Sequence, residues 1–170
     1  MTATGRVGFV GLGTIGKPMA LRLTDLDLWV YDVQPGPVAE LVEAGATAAG
    51  SVAGLAEAAV VCVMVRDDDQ VRSVAAELLG SGGSPVVAVH STVAPSTPAE
   101  LQSMGLRVLD APVSGGPMGA ADGSLAIMVG GDDASYAAAA TTRRTPRRSR
   151  SWPGWARRCC TRARSAPAPG

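Results

Sequence analysis

The chain has 170 residues, 46% of them apolar and 18% charged, and its formal net charge of zero joins two unlike segments. Residues 1–140 hold 6 Lys+Arg against 15 Asp+Glu, a charge of −9, while residues 141–170 hold nine arginines and no acid, a charge of +9. The acidic body is long enough to bury a core and unlike a nucleic-acid binder; of three cysteines the adjacent pair Cys159 and Cys160 argues against a disulfide framework, and the longest nearly uninterrupted apolar run, residues 58–65, is too short to span a bilayer.

The chain enters a strand-like run, RVGFVG (6–11), with no charged and apolar leader before it, so a soluble cytoplasmic protein without a signal peptide is expected. A helical pattern follows at 14–23 (TIGKPMALRL), then a strand at 28–32 (LWVYD) and helices at 38–45 (VAELVEAG) and 52–58 (VAGLAEA). The strand at 60–65 (VVCVMV) contains Cys62, read as a buried, inert thiol. Beyond it come a helix at 68–79 (DDQVRSVAAELL), a strand at 85–90 (PVVAVH), a helix at 97–104 (TPAELQSM) and strands at 107–111 (RVLDA) and 125–130 (LAIMVG). SYAAAA (135–140) begins one more helix. Continuous apolar strands alternating with helices imply an α/β fold, a doubly wound parallel sheet covered on both faces. Right-handed crossovers then bring the carboxyl ends of the strands to one edge, where chemistry is expected.

At that edge, VGFVGLGTIGKPMA places Gly11, Gly13 and Gly16 as G-x-G-x-x-G between the first strand and the first helix, and Asp32 ends the next strand 21 residues after Gly11. Gly11 permits a tight turn, Gly13 lets a pyrophosphate approach the backbone, and Gly16 lets helix and strand pack closely. Taken alone the motif is a plain strand-to-helix turn; with the strand, helix, second strand and terminal acid in place it is the dinucleotide fingerprint of a Rossmann fold. Gly11, Leu12, Gly13, Thr14, Ile15 and Gly16 are therefore the expected cofactor loop, with free helix N–H groups facing the phosphates. A carboxylate at Asp32 accepts from both ribose hydroxyls of an adenosine and repels a 2′-phosphate, favouring NAD over NADP; a solvated strand-end acid would leave that preference open. Asp67, Asp68 and Asp69 are read as helix-capping acids and not as a metal cluster, and no metal site is assigned.

Three ordered segments, GFVGLGTIGKPMA, HSTVAPST and DAPVSGGPMGAADGSLAIMVGG, together resemble the β-hydroxyacid dehydrogenase family, the relatives of 3-hydroxyisobutyrate dehydrogenase and tartronate semialdehyde reductase, over residues 5–136. The resemblance implies reversible oxidation of a 3-hydroxy acid to a semialdehyde or keto acid with a nicotinamide cofactor, in a homo-oligomer that buries the back of this domain. It places Ser114, Gly115 and Gly116 on the substrate carboxylate, a task that a hydroxyl and successive backbone N–H groups suit. It also puts Met64, Val65 and Thr92 beside the nicotinamide half of the cofactor. His90, the sole histidine, stands where the family carries various polar residues, and is read as stabilising a turn and not as a general base.

Two departures stand against the family pattern. The stretch from Gly16 to Asp32 is shorter than usual, since TDLDLW lacks the common Gly-His turn, and this is expected to shift the second strand and loosen the adenosine pocket. The family also carries a lysine on the helix after D-A-P-V-S-G-G, which moves the proton of the substrate oxygen, an asparagine beside it and a helical C-terminal domain. The sole lysine of this chain is Lys17, and there is no asparagine. No catalytic residue is therefore assigned. The domain reading is an NAD(P)-binding Rossmann domain at 1–140, probing a small hydroxy acid, with the helical domain missing and turnover low or absent. Competing readings are an NAD-binding sensor or interaction module whose basic tail docks on nucleic acid, and an imine reductase-like relative that dispenses with the lysine.

Residues 141–170 carry dense like charge, proline, and no Val, Leu, Ile, Met or Phe, so they are expected to be a disordered tail. Arg, Ala, Pro and Gly make up 19 of these 30 residues, the four residues encoded by codons of G and C alone, which points to GC-rich DNA read out of frame and away from a nucleic-acid-binding arm. Translating the gene in the other two frames from codon 140 is expected to restore a helical pattern with a lysine and an asparagine a few residues apart. Frames that all lack such a segment would return the arginine arm to consideration.

Overall fold

A computed structural model of the chain describes residues 5–140. The arginine-rich segment 141–170, with the readings attached to it, lies outside the described residues.

The element order is β1 (Val7–Val10), α1 (Gly16–Leu21), β2 (Leu28–Tyr31), α2 (Pro35–Glu43), β3 (Thr47–Ala48), a 3-10 turn (Val52–Leu55), β4 (Val60–Val63), α3 (Asp68–Gly80), β5 (Val86–Val89), α4 (Ser96–Ser103) and β6 (Arg107–Asp110). After these come β7 (Val113–Ser114), α5 (Gly116–Asp122), β8 (Ala126–Ile127) and α6 (Asp133–Ala140). Six strands form one parallel sheet in the order β3-β2-β1-β4-β5-β6, and β7 and β8 form a separate antiparallel ribbon. This is the doubly wound order that the alternation of apolar strands and helices implies.

Every residue of β1, β4 and β5 is buried, because helices cover both faces of the sheet. Side chains alternate between two cores. Phe9, Val60, Cys62, Val86, Ala88 and Leu109 point into one, against Met19 and Ala20 of α1 and Leu41 of α2. Val61, Val63, Val87, Val89 and Val108 point into the other, against Val71, Val74, Ala75 and Leu78 of α3 and Leu101 of α4. Burial pushes the Cys62 thiol up to about 12, so it stays protonated and unreactive, as its apolar run suggested.

Three elements differ from the sequence pattern. Residues 125–130 do not add a parallel strand; only Ala126–Ile127 pairs, antiparallel to Val113–Ser114, and an antiparallel bridge ties Gly130 to Asp110. After β6 the chain turns through Gly115 at φ +133 and Gly116 at φ +62 into α5 and returns antiparallel to both β7 and the end of β6. The sixth parallel strand is instead β3 at the opposite edge, two exposed residues paired to Trp29 and Val30. The helical pattern at 52–58 contracts to the 3-10 turn. β1 and β2 pair in register from Val7 with Leu28 to Val10 with Tyr31. No helix among the described residues is long and apolar enough to cross a membrane.

Candidate functional site

The parallel register places Tyr31, Val10, Val63, Val89 and Asp110 in one row across β2, β1, β4, β5 and β6. The residues that follow them, Asp32, Gly11, Met64, His90 and Ala111, therefore share one edge of the sheet. Between β1 and β4 the chain order reverses, which opens the crevice where doubly wound sheets take ligands.

The glycine loop sits over this crevice. Gly11 has φ +91, and a Cβ there would strike the Met64 carbonyl, so the loop lies directly on the end of β4. A Cβ on Gly16 would strike the Gly11 carbonyl. Gly13 differs: it is exposed, and a Cβ there would meet nothing within 4 Å. The first and third glycines are required by packing inside the protein, and the second keeps open a place outside it. Lys17 N–H closes the first turn of α1 on the Gly13 carbonyl at 3.0 Å, while the N–H groups of Gly13, Thr14 and Ile15 take no hydrogen bond among the described residues. An open approach lined by unengaged N–H donors fits the pyrophosphate of a dinucleotide.

Asp32 lies at the rim of this loop and fastens it. One carboxylate oxygen accepts from Leu12 N–H at 2.6 Å and the other from Gln34 N–H at 2.8 Å. Each oxygen retains a lone pair for a ribose hydroxyl. Val33, next to it, is 80% exposed. Lys17, the sole lysine, pairs with Glu40 of α2 at 2.8 Å.

On the other side of the crevice Met64 and Val65 are half-buried and Thr92 is exposed. Ser91, which sequence reasoning passed over, is 2% exposed; its hydroxyl accepts from Val65 N–H at 2.9 Å and donates to the Val65 carbonyl at 2.8 Å. His90 is buried, and its Nδ1–H donates to the Ala111 carbonyl at 2.9 Å, tying the end of β5 to the end of β6. That carbonyl can only accept, so Nδ1 carries the proton. Burial holds His90 below the ordinary histidine value, with the Ala111 hydrogen bond opposing the shift. Of the three consecutive acids, Asp67 caps α3 by accepting from Gln70 N–H at 2.9 Å. Asp68 does not serve its own helix in this way. It reaches the next loop, accepting from Ala94 N–H at 2.9 Å and from the buried Thr97 hydroxyl.

Ser114 and Gly115 are exposed and Gly116 half-buried at the turn that opens α5. A Cβ on Gly116 would meet nothing within 4 Å, so here too the backbone lies open. α5 is fixed to α1 by Arg22, whose guanidinium donates to the Ala121 carbonyl at 3.2 Å.

Residues 6–142 match the family profile of the NAD binding domain of 6-phosphogluconate dehydrogenase. The chain belongs to this family. The NAD-binding domain has 3-hydroxyisobutyrate dehydrogenase-like relatives. It is 46% identical over 143 residues to an uncharacterized oxidoreductase of Mycobacterium tuberculosis, covering 78% of this chain and 48% of that one. Among solved structures, the 3-hydroxyisobutyrate dehydrogenase of Mycobacterium tuberculosis with L-serine superposes at TM-score 0.74, with 31% identity over 81% of this chain and 50% of that one. Psf3, solved in complex with NADP+ and 2-OPP, superposes at TM-score 0.68, with 28% identity over 77% of this chain and 50% of that one. The chain thus spans about half the length of the curated relative it matches.

The glycines separate in their effects. Gly13→Ala is expected to leave stability within about 0.5 kcal/mol while weakening NADH binding at least about tenfold, because its methyl projects into the approach. Gly16→Ala should instead cost roughly 1–3 kcal/mol of folding stability by forcing backbone apart. Urea unfolding beside NADH titration of both variants reads the difference.

His90 makes stability pH-dependent. As pH falls through the ordinary histidine value of 6.5 the unfolded chain takes up a proton that folded His90 refuses, so this contribution is complete above 6.5 and declines below it. The unfolding temperature followed by circular dichroism should fall from pH 7 to 5.5, and His90→Gln should flatten that slope.

Proposed function

We propose that the chain is the cofactor-binding half of an oxidoreductase that exchanges a hydride between a nicotinamide and a small 3-hydroxy acid. The observation that carries this reading is the glycine loop: Gly11 and Gly16 are confined by backbone contacts, while Gly13 leaves open space beside unengaged N–H groups. Gly11, Leu12, Gly13, Thr14, Ile15 and Gly16 would hold the pyrophosphate, Asp32 the adenosine ribose, and Met64, Val65 and Thr92 the nicotinamide. A nicotinamide bound there would supply the acceptor for a hydride from the carbon that bears the hydroxyl, while the hydroxyl proton would have to pass to a separate base.

Ser114, Gly115 and Gly116 are proposed to take the substrate carboxylate, since Ser114 offers an exposed hydroxyl and Gly116 open backbone after β6. The relative solved with L-serine, itself a 3-hydroxy acid, supports that substrate class. The proton step needs an acid or base, and the sole lysine, Lys17, is engaged by Glu40. The chain by itself is therefore proposed to bind cofactor with little or no turnover.

NAD is the proposed cofactor, with NADP disfavoured. Asp32 sets a carboxylate where a 2′-phosphate would lie, and the residues after it are Val33 and Gln34 with no arginine to receive that charge. Titration by nicotinamide fluorescence should show NADH binding at least about tenfold more tightly than NADPH, with Asp32→Ala narrowing the gap. Equal affinities that the substitution leaves unchanged would remove Asp32 from the ribose site.

A further inference from the structure

Two loops reach the crevice from neighbouring strands, residues 64–67 after β4 and residues 90–95 after β5, and they are joined at both ends. At the inner end the buried Ser91 hydroxyl holds both backbone groups of Val65, at 2.9 and 2.8 Å. At the outer end the Asp68 carboxylate accepts from Ala94 N–H at 2.9 Å and from the hydroxyl of Thr97, which is 0% exposed. Arg72 backs this second tie, donating to Thr97 Oγ1 at 3.3 Å and to Glu100 at 2.9 Å. The Thr97 and Ala94 hydrogen bonds hold the Asp68 carboxyl below its ordinary value, so the tie is charge-assisted at neutral pH. Arg66 N–H of the first loop donates to the Gln70 side chain at 3.0 Å.

Loops at the end of a sheet are ordinarily among the more mobile parts of a fold, and a ligand that must order them binds less tightly. Here Val65 is itself held by the inner tie, Met64 directly precedes it, and Thr92 lies between the two ties. Each tie joins residues 26 or 29 positions apart in sequence, so neither is a local turn. We propose that Ser91 and Asp68 are positioning residues for the nicotinamide half of the cofactor, clasping loops 64–67 and 90–95 at one spacing before the cofactor arrives. The proposal rests on the reading that Met64, Val65 and Thr92 line that half.

The inner tie holds Val65, against which Gly11 of the glycine loop packs, whereas the outer tie involves no residue of that loop, so loss of the outer tie should act on the nicotinamide half of the cofactor alone. The full chain and its Ser91→Ala and Asp68→Ala variants are titrated with ADP-ribose by calorimetry and with NADH by fluorescence. Each substitution should weaken NADH about five- to tenfold, the effect of one or two side-chain hydrogen bonds, and Asp68→Ala should leave ADP-ribose within about twofold. Asp68→Asn, which keeps an oxygen for Ala94 N–H and the Thr97 hydroxyl, should restore most NADH affinity. If Ser91→Ala does not fold, the Asp68 pair decides. Equal weakening of both ligands by Asp68→Ala would reduce the clasp to a structural brace, and unchanged NADH affinity would remove it; either result overturns the proposal. A parent chain that binds neither ligand would sink the dinucleotide reading and this inference with it. A parent that binds ADP-ribose as tightly as NADH would sink the positioning role alone.

Discussion

The approach of backbone to backbone where Gly11 meets the end of β4 is the contact on which the rest of the site depends. A side chain at Gly11 would occupy the place of the Met64 carbonyl, and one at Gly16 the place of the Gly11 carbonyl. Because neither position carries a side chain, the first turn of α1 descends onto the sheet edge, and the intervening Gly13 is turned toward open space. The same approach fixes where Met64 stands relative to the loop, so the two sides of the crevice are set by one contact.

Beneath that edge the sheet is stiff for a different reason. Alternate residues of β1, β4, β5 and β6 enter two separate cores, so sliding one strand by a residue would exchange the contents of both. The polar residues gather just past the buried strands, and almost all are used to hold strand ends together: Ser91 between β4 and β5, His90 between β5 and β6, and Asp32 between β2 and the glycine loop. The edge is thus a row of loops whose geometry is inherited from the register of the sheet below.

This division explains what could be read from the residues alone. Valine-rich runs buried on both faces announce themselves, and G-x-G-x-x-G followed by a terminal acid announces the loop. β3 was invisible because its two residues are exposed and form no apolar run, and α5 was hidden by the glycines and proline of its own first turn. The run at 125–130 reads as a sheet strand, yet it serves a ribbon with Val113–Ser114 and a bridge to Asp110, partners that the run itself does not announce. Asp67 was legible as a cap, since its partner is three residues away. Asp68 and Ser91 were not, because their partners come near only once two crossovers have been closed.

Asp32 carries a consequence for the speed of recognition. Its two oxygens already hold Leu12 and Gln34, so the loop that would receive a ligand is formed in the protein by itself. The ordering entropy of the loop is then charged to folding and not to association. For a ligand seated on such a loop, encounter and not a closing step would set the rate of binding, and differences in affinity would be expressed in how long each ligand remains.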